Sequence, residues 1–187
     1  MNFKHLLIIG FAIAIISIGF VSAADDDVSI LSALDITPFS KDTTVTIDGI
    51  DFNVPKGYGE QEDIRKENDT LSVGNMEVTL SNYQYLNEDG DLLNLQVIFA
   101  KDKNFTTESL NPDEDGFAKK TINDTEGFYS ESDGVATFLY AQDGKSVQIT
   151  GNADILSKVI YFFFFFFFLI GYFLNISKNA LNVINTG

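Results

Sequence analysis

"TVTIDGIDFNV", Thr44 to Val54, alternates apolar and polar residues on either side of a single Asp-Gly pair. Val45 and Ile47, then Ile50, Phe52 and Val54, fall on one face, with Asp51 and Asn53 opposite. A period of two is the signature of a half-buried strand. Asp48-Gly49 is a dipeptide that suits a two-residue hairpin turn. Pro55 ends the second strand, because proline has no N–H to give to a ladder. The stretch predicts an antiparallel hairpin, and the same grammar recurs downstream.

The polar residues Gly59 to Thr70 read as a loop or a short solvated helix. Met76, Val78 and Leu80 then share one face, whereas Tyr83 and Tyr85 take the opposite parity. That switch predicts a bulge near Ser81-Asn82 in a long strand. After the turn in "NEDGD", Leu93, Leu95, Val97 and Phe99 line one face of the next strand. Leu92 and Ile98 occupy part of its other face, which makes this strand central. Asp133-Gly134 and Asp143-Gly144 mark further hairpins around Val135 to Ala141 and Ser146 to Thr150. In "NADILSKVI", Asn152 is a candidate helix cap, and Ile155, Leu156, Val159 and Ile160 form one helical stripe. The fold expected is α+β: an antiparallel sheet of about five to seven strands with a closing C-terminal helix, preceded by a signal peptide and followed by a hydrophobic tail. Burial is expected of Val45, Ile47, Phe52, Leu95, Val97, Phe99, Phe138 and Ile149.

The segments "TVTIDGIDFNVPKGY" and "KKTINDTEGFYSESDGVATFLYAQDGKSVQITGNADILSKVI" resemble a small exported domain family of unknown function found in methanogenic archaea. The likeness covers residues 43–160 and rests on strands, Asp-Gly turns and a closing "D-x-L-x-K-V-I" helix. It implies a cell-surface domain and brings no active site with it.

Chemistry narrows by exclusion. The only histidine is His5 and there is no cysteine. Residues after the N-terminal apolar run therefore offer no Ser-His-Asp triad, no Cys-His pair and no common zinc site. A carboxylate-dependent hydrolase is one alternative, since acidic residues abound, but the chain has no Trp to stack against a sugar. No catalytic residue and no cofactor is assigned, and the chain is read as non-catalytic. A second alternative is a calcium-binding exported domain. Asn111, Asp113 and Asp115 alternate ahead of Gly116, like the first half of a calcium loop of the EF-hand type. The second half departs from it, with Ile122 where a bidentate Glu would stand. Asp and Gly also recur together as turn formers at five places, so a solvated acidic loop accounts for the same residues. Asn68-Asp69-Thr70, Asn104-Phe105-Thr106 and Asn123-Asp124-Thr125 match the N-glycosylation acceptor pattern in expected loops. A fourth match, Asn175-Ile176-Ser177, lies in the apolar tail. A net charge of -15 repels phosphate backbones, so nucleic acid is not an expected partner.

The two ends set location. Lys4, the apolar run Leu6 to Phe20 and the small residues Val21 to Ala24 have the order of a secretory signal peptide, with cleavage after Ala23. The organisation expected is a signal peptide over 1–23, a tether over 24–42, an exported domain over 43–160, a transmembrane segment over 159–177 and a short tail over 178–187. The 19 residues 159–177 carry no charge. As a helix they rise about 28 Å, close to the roughly 30 Å of a bilayer's hydrocarbon. The expected partners are the membrane, through this run, and a component of the cell envelope. All acidic residues precede Val159, and 22 of the last 29 residues are Phe, Leu, Ile, Tyr, Asn or Lys, types that codons made only of A and T encode. This break in composition also fits a frameshift or read-through product that would still act as an anchor.

Overall fold

The structure, a computed structural model, describes residues 31, 34–73, 76–110, 112 and 116–160. The opening hairpin forms as expected. Strands β1 (Thr43–Ile47) and β2 (Ile50–Val54) pair antiparallel, with Ile47 opposite Ile50. Both residues of the Asp48-Gly49 turn have positive φ, as do those of Asp133-Gly134 and Asp143-Gly144. Aspartate tolerates the left-handed region better than most side chains and glycine enters it freely. A two-residue turn built this way matches the right-handed twist of its strands.

The other strands are β3 (Gly59–Glu60), β4 (Lys66–Val73), β5 (Met76–Leu86), β6 (Leu92–Ala100), β7 (Ala118–Ile122), β8 (Thr125–Ser132), β9 (Val135–Gln142) and β10 (Lys145–Asn152). They form one eight-stranded antiparallel sheet in the order β3-β5-β6-β10-β9-β8-β7, with β4 also paired to β5. Strands β3 and β4 thus lie one after the other along a single edge, and β7 is the opposite edge. Two short helices are described, α1 (Thr107–Leu110) and α2 (Leu156–Ile160).

One face of the sheet carries the larger core. Tyr85, Leu93, Leu95, Phe138 and Ile149 pack against Ile50, Phe52 and Val54 of the hairpin and Leu156 and Val159 of α2. The hairpin is also tied down by polar bonds. Asn53 donates to the Lys158 carbonyl at 3.3 Å, and the Lys145 ammonium donates to the Asp48 carbonyl. On the other face, a smaller cluster of Val78, Phe105, Leu110, Phe128 and Leu139 seats α1 and the loop before it.

Four expectations need correction. The sheet has eight strands rather than five to seven, and the hairpin is a separate two-stranded sheet. The residues from Lys66 to Thr70, expected as loop or helix, belong to β4. They were hidden because an edge strand has polar residues on both faces, which erases the period of two. No bulge interrupts β5, whose pairing with β6 runs unbroken from Val78 opposite Ala100 to Leu86 opposite Leu92. The parity switch arises because β5 is buried on both faces, and the irregularity sits in β4, between Lys66 and Asp69. Finally, Asn152 is the last residue of β10, opposite Val135, and not a helix cap. The described helical share is accordingly small, and the described residues are mostly antiparallel sheet. Of the expected core residues, Ile47, Phe52, Leu95, Val97, Phe138 and Ile149 are buried, while Val45 and Phe99 are only partly so.

Packing begins before Thr43, within the stretch expected as tether. The Phe39 N–H donates to the Tyr58 carbonyl at 2.8 Å, and the Gly57 N–H donates to the Phe39 carbonyl at 2.9 Å. Leu31 and Ile36 are buried. The expected signal peptide, the expected transmembrane segment beyond Ile160 and the short tail lie outside the described residues, while Val159, the first residue of that expected segment, is buried in the core. Among the described residues no helix is long and apolar enough to cross a membrane.

Candidate functional site

An open groove of about 620 Å³ lies between residues 34–39 and 60–64, beside the β3 edge. Its wall at 34–39 is fixed by the Phe39 bonds just described and by the Ile36 N–H, which donates to the Leu31 carbonyl at 2.8 Å. Phe39 also meets the Tyr85 ring, with centroids 6.2 Å apart. Gly59 permits this close approach. A Cβ there would strike the Ile36 side chain and come within 2.7 Å of the Thr37 carbonyl oxygen.

The opposite wall is β3 and the 3-10 turn Glu62–Ile64. Leu34 and Ile64, which line the groove, are 39% and 37% exposed, two of the three large apolar side chains exposed to that degree among the described residues. Asp35, Glu60, Glu62 and Asp63 surround them with negative charge. A cation, Arg65, stands beside the rim. Arg65 pairs with Glu60 at 3.0 Å and lies 5.0 Å from the centroid of the Tyr83 ring. Burial still raises the Glu60 carboxyl above its ordinary range, although Arg65 pulls the other way. The groove therefore combines exposed apolar side chains with four carboxylates, of which Glu60 is paired with Arg65.

A second feature was not anticipated from the sequence. Asn82 and Gln84 of β5, Asn94 and Gln96 of β6 and Gln148 of β10 share the face that carries α1. Asn82 is opposite Gln96, which is opposite Gln148; Gln84 is opposite Asn94, which is opposite Thr150. None of the five carboxamides is more than 4% exposed. Gln148 donates to the Thr150 hydroxyl at 3.4 Å, a long bond. Among the described residues, the Asn82 carbonyl oxygen, the Gln84 amide nitrogen and both polar atoms of Asn94 and of Gln96 have no hydrogen-bond partner. The available signal was the repeat "NYQ" at 82–84 and "NLQ" at 94–96, two Asn-x-Gln pairs at strand spacing.

Asn111, Asp113 and Asp115 lie outside the described residues, and among the described residues no group of three or more carboxylates is arranged to hold a metal ion. Asn68 is exposed on β4, at the irregularity. Asn104 lies against Gly144 at the β9–β10 turn. Asn123 begins the β7–β8 turn and donates to the Ser157 carbonyl at 2.6 Å. No protein-family model matches the chain, and no curated protein or solved structure matches it.

Proposed function

We propose that this is an exported, membrane-anchored domain of the cell surface that acts by binding rather than catalysis, with the groove beside β3 as its recognition site. The carrying observation is the groove itself, in which exposed Leu34 and Ile64 sit inside a ring of Asp35, Glu60, Glu62 and Asp63. Exposed apolar side chains rimmed by one sign of charge fit a partner segment that offers apolar residues flanked by Lys or Arg. Export and anchoring are supported by the order of segments at the N-terminus and by the uncharged run 159–177. The resemblance to exported archaeal domains points the same way.

The test uses the full chain in detergent and a fluorescent peptide of alternating Leu and Lys. Binding is expected to be saturable and weakened by salt, because exposed charges are screened beyond a Debye length. Leu34→Ser with Ile64→Ser should abolish it while leaving the melting temperature nearly unchanged. Binding that survives the double change, or a failure of basic peptides to compete better than acidic ones, would reject the groove. Export is tested separately by N-terminal sequencing, where a start at Ala24 is expected and an intact Met1 on surface-exposed chain would overturn it.

A further inference from the structure

The three acceptor triplets that the structure describes are chemically alike and structurally different. An acceptor needs its Asn amide nitrogen free to form the new bond and its Ser or Thr hydroxyl free of other partners within the fold. Asn123 fails the first condition. Its amide nitrogen donates to the Ser157 carbonyl at 2.6 Å, joining the β7–β8 turn to α2. That bond holds the nitrogen against α2, so a glycan there would have to fit beside the helix. Asn104-Phe105-Thr106 fails the second. The Thr106 hydroxyl accepts from the Ser109 N–H at 3.3 Å and also holds the Glu108 carboxylate, while Phe105 is 3% exposed and its N–H donates to the Gly144 carbonyl.

Asn68-Asp69-Thr70 meets both. All three residues are exposed on β4, at the edge of the sheet. The register shift leaves Glu67 and Asn68 together opposite Ser81, and Asn68 takes a left-handed φ of 56°. A bulge of this kind turns a side chain away from the ladder. Its backbone N–H is satisfied by the Ser81 hydroxyl at 3.0 Å, so the turned-out conformation is held in place. Among the described residues neither the Asn68 carboxamide nor the Thr70 hydroxyl has a hydrogen-bond partner.

We infer that Asn68 is the glycosylation site of the folded protein and that Asn104 and Asn123 are left unmodified. The inference rests on the export reading, because the donor is a lipid-linked glycan at the outer side of the membrane. In the transfer, the Asn68 amide nitrogen bonds to the anomeric carbon as that carbon's bond to the lipid phosphate breaks. The amide proton goes to the transferase and the lipid phosphate leaves.

The experiment is secretion of the full chain from a host that modifies exported Asn-x-Ser/Thr triplets, followed by intact mass and glycopeptide mapping. One glycan is expected, on Asn68. It should vanish in Asn68→Gln and in Thr70→Val, persist in Thr70→Ser, and be unaffected by Asn104→Gln or Asn123→Gln. Chain that starts at Ala24 without glycan would overturn this inference and leave export standing, whereas chain with Met1 intact and no glycan would overturn both. Glycan mapped to Asn123 or Asn104 in chain with the wild-type melting temperature would also reject it.

Discussion

Strand β6 shows two different interiors on one backbone. Leu93, Leu95 and Val97 point into the core beneath the β1–β2 hairpin and are fully buried. Asn94 and Gln96, between them, point to the other face and are equally buried, yet among the described residues all four of their polar atoms lack partners. The first side is stabilised by removing apolar surface from water, about 1.5 to 3 kcal/mol for each large side chain. The second bears the desolvation of polar groups that find no partner among the described residues, about 1 to 3 kcal/mol for each unsatisfied group. Strand β6 is therefore strongly favoured from one side and resisted from the other. Burial alone does not say which side holds the fold together.

Breaking the favourable side should have the largest effect. Leu95→Asp would place an unpaired carboxylate in the centre of the core, opposite Tyr83 and Ile149. A buried charge costs several kcal/mol against a total stability of about 5 to 15. The variant should lose its cooperative melt by circular dichroism, and an unchanged melting temperature would mean that Leu95 is not in the core.

The same change of charge means less on the carboxamide side, where the informative substitution runs the other way. Asn94→Leu with Gln96→Met keeps the approximate shapes and removes four unsatisfied atoms. The double variant should gain stability, by about 1 to 3 kcal/mol for each group relieved. A loss of stability measured by urea denaturation would show that these carboxamides have partners and that the two sides of β6 are more alike than described.

This contrast explains what was legible in the sequence. Leu93, Leu95, Val97, Phe138 and Ile149 announced themselves because apolar residues at a period of two have one economical explanation. Asp48-Gly49, Asp133-Gly134 and Asp143-Gly144 did so because few residues accept positive φ. Asn82, Gln84, Asn94 and Gln96 share that period, but a polar residue between apolar ones ordinarily faces water, so no local signal marks these four as buried. Strands β4 and β7 escaped for a related reason. Both are sheet edges, and Lys119 and Lys120 of β7 are exposed, leaving no apolar face to detect. The turn joining β7 to β8 is Asn123-Asp124, with φ of 47° and 63°, and carries no glycine. The groove depends on Ile36 and Phe39 folding back over β3, a contact that no local pattern records.

A milder perturbation of the apolar side is alkali. Burial raises the phenol of Tyr58 to about 12, and raises those of Tyr83, Tyr85 and Tyr140 as well. For each group the folded value lies above the unfolded one. The associated stability is fully present below pH 10 and is lost as pH climbs towards 12. Phenolate absorbance should therefore lag behind that of free tyrosine and then rise together with unfolding. A phenolate signal complete before any change in circular dichroism would place these rings in water.

The smallest effect should come from Glu60, which lies outside both faces of β6 and tests whether partial burial in the groove follows the same rule. Burial raises its carboxyl, with Arg65 opposing and Glu62 and Glu67 reinforcing the rise. The folded value again exceeds the unfolded one, but here the ordinary value is 4.5. The linked stability is present below that pH and is lost as pH rises through the folded value, so at neutral pH the charged carboxylate is a slight burden on the fold. Glu60→Gln should match the wild-type melting temperature in acid and equal or exceed it at neutral pH. It should also weaken the capture of Leu-Lys peptide by the groove, because one of the four rim carboxylates is gone. A wild type that outlasts Glu60→Gln at neutral pH would mean that the 3.0 Å contact with Arg65 outweighs burial, and that the rim of the groove is a structural ion pair rather than charge kept for a partner.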